Sequence, residues 1–82
     1  MFPNQIEEVA LVAIKYSEWN TLNWLLKELS CWMVSPDFQT AKCVGHIASS
    51  LYDHIKELPI YNDYVITLNH MFTYTVDCLK LK

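Results

Sequence analysis

The amino-acid sequence predicts an all-α fold, a small four-helix bundle in a single domain spanning residues 1–82. Apolar residues recur at spacings of three and four along most of the chain, the period of a helix with one buried stripe. The chain is 52% hydrophobic yet holds one Gly and three Pro, too few turn residues for a many-stranded fold. A segment over 36–58 has both its ends marked and is long enough to be the central helix of the bundle.

The first helix is expected over about Gln5 to Tyr16. Asn4 followed by Glu7 makes a capping-box-like start. Ile6, Val9, Ala10, Ala13 and Ile14 form the apolar stripe, and Val12 and Tyr16 widen it to about half the circumference. Glu7, Glu8 and Lys15 mark the wet side.

Ser17 or Asn20 is placed to cap a second helix running to about Met33, with Leu22, Leu25, Leu26, Leu29, Trp32 and Met33 on its apolar face. No Gly or Pro separates it from the first, so a three-helix form with a bent first rod is the alternative. Trp24 and Cys31, seven apart, project from the opposite side among Ser17, Asn20, Lys27 and Glu28. Either the domain packs on that side too, or Trp24, Lys27 and Cys31 are a partner-binding surface with the Trp as its anchor.

The central helix is expected to begin at Ser35 as N-cap, with Pro36 at the first helical position and Asp37 at the positive end of the macrodipole. Ala41, Val44, Ala48, Leu51, Ile55 and Leu58 share one face, and Pro59 ends the helix. About 23 residues at 1.5 Å each span roughly 34 Å. Ala41, Gly45 and Ala48 make a small-residue patch on it, although a helical Gly costs about 1 kcal/mol relative to Ala. The patch is expected to receive a neighbouring helix or to form a dimer contact across a twofold axis.

Asn62 or Asp63 is placed to cap the last helix, which carries Tyr61, Val65, Leu68, Phe72, Thr75, Val76 and Leu79 at helical spacing. The same stretch holds β-branched and aromatic runs around Asn69-His70, so the alternative is an α+β fold with a C-terminal hairpin at 64–76. Helix is favoured because the repeat runs through the supposed turn, which lacks Gly. Lys80 and Lys82 suit the negative end of that helix.

Charge and composition exclude several classes. All six basic residues are Lys against nine acids, for a net charge of −3. No basic patch exists to neutralise phosphates and no Arg to read guanine, so nucleic-acid binding is not expected. The acids are too sparse for a nucleic-acid mimic. Cys31, Cys43 and Cys78 are an odd count without a C-x-x-C pair, and no signal-peptide pattern opens the chain, which implies reduced, buried thiols in a cytoplasmic protein. The longest apolar run, Val9 to Ile14, is far short of the ~20 residues that span a bilayer, so no direct membrane insertion is expected. The leucine face of helix 2 with Trp19, Trp24 and Trp32 is suited to core packing, because Glu18 and Glu28 against Lys27 is the wrong balance for anionic lipid.

Chemistry-bearing residues are few. Cys43 and His46 sit three apart on the central helix, a spacing that allows two metal ligands, but zinc needs two more and none is paired at a recognisable spacing. A small zinc-binding protein is the remote alternative, and no metal site or cofactor is expected. Ser50, Asp53 and His54 contain the types of a catalytic triad, but adjacency on one helix is not the convergent geometry a triad needs. Gly45, the single glycine, excludes a glycine-rich phosphate loop. No catalytic residue is assigned, and the chain is expected not to be an enzyme.

So much aromatic and aliphatic bulk is hard to hide in 82 residues, so a protein partner or self-association is expected. The opening MFPNQIEEVALVAIKYSEW, the absence of Arg, the length and the Tyr, Ile and Asn content resemble the RIII rapid-lysis proteins of T-even phages over the whole chain, without a diagnostic motif. The resemblance implies a cytoplasmic antiholin, which delays lysis of the host by binding the cytoplasmic part of a holin. It carries over no site residues. A homo-oligomeric structural protein is the alternative from another class.

Overall fold

The computed structural model describes residues 3–80, with side chains from residue 5. It holds four helices, α1 (Pro3–Lys15), α2 (Trp19–Trp32), α3 (Phe38–Ile55) and α4 (Tyr61–Lys80). No strand occurs among the described residues, and helix runs unbroken through 64–76 in place of the alternative hairpin. The Asn4 side chain of the expected capping box and Lys82 lie outside the described residues. Helix α1 already includes Pro3 and Asn4, so it starts earlier than the Gln5 expected.

Helices α1 and α2 are two helices and not one bent rod. Ser17 stands at φ 56°, in the left-handed region. The Ser17 N–H donates to the Ile14 carbonyl at 3.1 Å and the Glu18 N–H to Ala13 at 2.8 Å. That pair of bonds is a Schellman closure, which normally uses Gly at the left-handed position. Ser17 therefore ends α1 instead of capping α2. The residue before α2 is Glu18, whose side chain makes no cap bond.

Helix α3 starts two residues later than expected. Asp37 is extended, and its carboxylate accepts from the Thr40 N–H at 2.8 Å and the Thr40 hydroxyl at 2.7 Å. Asp37 is thus the N-cap, and Ser35 and Pro36 belong to the approach. The Thr40 hydroxyl, and then its N–H, hold the Asp37 carboxyl below its ordinary value of 3.8. The cap is therefore complete above that range and is lost as pH falls through the lowered value. The helix also ends at Ile55, before the expected Leu58. The ring of Pro59 opposes the carbonyl four residues back, at Ile55, and disfavours helical φ/ψ at Leu58. With 18 residues, α3 is shorter than α4 with 20. It packs against both α1 and α4, and α1 likewise packs against both α2 and α3, so α1 and α3 share the middle of the bundle.

The core is drawn from all four helices. Ile6, Ala10, Ala13 and Ile14 of α1 meet Leu22, Leu25, Leu26 and Leu29 of α2, Val44, Ile47, Ala48, Leu51 and Ile55 of α3, and Tyr64, Leu68 and Met71 of α4. Several residues expected inside are at the surface. Val9, Val12 and Tyr16 are 38%, 55% and 65% exposed, so α1 buries one narrow stripe. Trp32 and Leu58 are partly exposed, and Leu58 lies beyond α3. On α4 the buried side is Tyr64, Leu68, Met71 and Cys78, and Val76 and Leu79 face outward. That stripe keeps the helical period and shares Leu68 with the one expected, while Thr75 of the expected stripe seats against Gly45. Asn62 and Asp63 fall inside the first turn of α4 and do not precede it.

Candidate interaction surface

The small-residue patch of α3 is consumed within the chain. Ala41 and Ala48 are fully buried, and a Cβ built at Gly45 would stand 2.8 Å from Thr75 Cγ2 of α4. Thr75 has little freedom to yield, because its hydroxyl donates to the Met71 carbonyl at 2.9 Å. The contact is therefore helix packing, and α4 covers the place where a twofold partner would approach.

Helix α2 presents the opposite situation. Its four leucines point inward, and Trp24, Lys27 and Cys31 lie together on the outside, related by steps of three and four that make them surface neighbours. Trp24 is 57% exposed, so the domain does not pack on that side. The Cys31 thiol contacts the Lys27 carbonyl at 3.8 Å and the Ser30 hydroxyl donates to the same carbonyl at 2.6 Å. Cys31 is exposed, Cys43 half-buried and Cys78 buried, so one thiol of the three is inside as expected.

Lys27 also lies on the wall of a groove of about 450 Å³ between α2 and α4, whose other walls include Asn23, Ser30, Ile66, Thr67 and His70. Helix α4 carries the far rim, where Ile66 is 83% exposed. Long side chains bridge α2 and α4 beside this groove. Trp19 and Tyr64 hold ring centroids 6.3 Å apart, and the Tyr64 hydroxyl donates to Asn23 Oδ1 at 2.6 Å. Burial, and then the carboxylate of Asp63, raise the Tyr64 phenol above its ordinary value of 10.0, so this donor stays protonated to higher pH than a free phenol. Nothing in the sequence pattern signalled the groove, since it depends on the rotation of α4.

The second polar cluster joins α1 to α3. Glu7 accepts from Ser50 Oγ at 3.3 Å and lies 3.2 Å from His46 Nε2. Glu7 was expected on the wet side; it is instead the polar tie across this seam. The His46 side chain is 70% exposed, and among the described residues no three His, Cys, Asp or Glu side chains converge as a metal site would require. His54 Nδ1 lies 2.7 Å from the Ser50 carbonyl, while the Ser50 hydroxyl is turned to Glu7, so Ser50, Asp53 and His54 do not assemble into a relay. No helix among the described residues is long and apolar enough to cross a membrane. Comparison with known protein-family models, curated proteins and solved structures finds no match.

Proposed function

We propose that this chain is a non-catalytic, protein-binding regulator that docks its partner on the outer face of α2 and the adjoining α2/α4 groove. The observation that carries the reading is Trp24, more than half exposed on a helix whose apolar needs are already met by four buried leucines. Trp is the side chain most enriched where a few residues supply most of a binding energy. A groove beside an exposed aromatic suits an amphipathic helix laid lengthwise between α2 and α4. The resemblance to the RIII rapid-lysis proteins supplies the nature of the partner. On that resemblance the partner is the cytoplasmic part of a holin, and the regulator is an antiholin that delays lysis from the host cytoplasm.

Co-purification of the intact chain with a holin's cytoplasmic segment tests the partner, and Trp24→Ala tests the surface. The variant is expected to keep its helical circular dichroism and to lose at least about tenfold in affinity, the effect of roughly 1.4 kcal/mol at a hot spot. Unchanged binding and unchanged lysis timing in a folded Trp24→Ala variant would move the docking surface elsewhere. Absence of any complex with the holin segment removes the antiholin identity.

A further inference from the structure

A second exposed apolar stripe runs along α1 to Tyr16, the residue just past its end whose N–H still bonds the Val12 carbonyl at 3.2 Å, and the proposed docking face of α2 does not use it. Val9, Val12 and Tyr16 follow one another by three and four and are all exposed. Val is a weaker helix former than Ala, because its branched Cβ is restricted against the preceding turn. Two valines at the surface of a 13-residue helix, Val12 more than half exposed, therefore weaken it for only a partial packing return inside the monomer.

Written as a heptad, Val9 and Tyr16 are a positions and Val12 is d, with Gln5 the preceding d. The two flanks of the stripe differ. On one, the e positions are Ile6 and Ala13, both buried in the chain's own core. On the other, the g positions are Glu8 and Lys15, both exposed and opposite in charge. The Lys15 ammonium lies 5.7 Å from the centre of its own Tyr16 ring, at the rim of the stripe. Glu8 and Lys15 are two turns apart, about 10.5 Å along the axis, too far for the favourable pairing of residues three or four apart on one helix.

We propose that a second copy of this chain docks on this stripe, with the two α1 helices antiparallel about a twofold axis. In an antiparallel helix pair a faces d and g faces g. Val9 then meets Val12 of the second copy, Tyr16 meets its Gln5, and Glu8 meets its Lys15, each contact occurring twice by symmetry. A parallel pairing sets each g against an e, and the e positions are sealed in the core, so the charges select the antiparallel arrangement. Three turns of helix form a small contact, so the dimer is a reversible one that grows with concentration.

Sedimentation equilibrium of the full chain over roughly 10 µM to 1 mM tests this, a range suited to a contact of low area. The wild type is expected to shift from monomer to dimer. Val12→Glu, at an exposed position, is expected to keep the fold and weaken the dimer about tenfold or more. Glu8→Lys and Lys15→Glu each weaken it several-fold at low salt by opposing like charges, and the double swap Glu8→Lys/Lys15→Glu recovers most of the loss. A wild type that stays monomeric overturns the proposal, as does a dimer indifferent to Val12→Glu or a double swap no better than its singles. The assay contains no second protein, and Trp24→Ala is expected to leave the dimer intact. Failure here is therefore separate from failure of the regulator reading.

Discussion

Where α3 meets α4, Gly45 admits Thr75 so closely that a Cβ would come within 2.8 Å of it; where α2 meets α4, paired rings stand 6.3 Å apart beside a groove of about 450 Å³. The first seam is made by removing a side chain and the second by interposing large ones. Interiors are packed to near crystal density, so the first has no slack for added volume. The second has room, and its polar tie between Tyr64 and Asn23 fixes distance without filling space. One bundle thus holds a seam that resists change and another open to a ligand.

Adding bulk to the close seam gives the largest contrast. Gly45→Leu is expected to cost about 3 kcal/mol in urea unfolding, since overpacking forces α3 and α4 apart. Gly45→Ala sets a clash against a helix-propensity gain of about 1 kcal/mol and is expected to lose about 1 kcal/mol net. Adding Thr75→Ala should then show a favourable coupling of about 1 kcal/mol or more in a double-mutant cycle, and a stabilising Gly45→Ala would mean the seam is not close. At the open seam, Tyr64→Phe removes the bond to Asn23 and is expected to cost about 1 kcal/mol. Its pH signature is specific. The folded phenol titrates above 10.0, so its contribution is complete below that value and disappears as pH rises through the raised one; the gap between wild type and Tyr64→Phe should close in that window. Ser17→Gly relieves the left-handed residue that sets α2 against α1 and is expected to add about 0.5–1 kcal/mol. Smallest of all, Ser30→Leu on the groove wall should stay within about 0.5 kcal/mol, and a loss approaching that of Gly45→Leu would abolish the distinction between the seams.

The helices were legible because their repeats are strong, and the α4 repeat outweighed local β-propensity at Tyr64–Leu68. Their ends and rotations were less so. Ser35-Pro36 and Asp37-x-x-Thr40 are competing start signals two residues apart, and the doubly bonded Asp37 carboxylate prevails. Pro59 marks the end of α3, but its steric reach extends back to Ile55. The α1/α2 break carries no Gly, because Ser17 takes the strained conformation itself. Helix α4 bears two overlapping stripes, the buried Tyr64-Leu68-Met71-Cys78 and the expected Tyr61-Val65-Leu68-Phe72-Thr75-Val76-Leu79, and only packing against the other helices chooses between them. The groove follows from that choice, so it was hidden from the sequence. Trp24, with four leucines on the other face of the same helix, was in plain view.

The three thiols have a consequence of their own. Cys31 is open to solvent, Cys43 sits half-buried near the start of α3, and Cys78 is enclosed near the end of α4. A thiol-reactive dye added to the native protein therefore meets three clocks already built in. The first reacts without any opening of the fold, the second reports local breathing at the head of α3, and the third waits until the tail of α4 lifts from the core. The order in which the bundle comes apart is thus readable from the chain without placing a single probe.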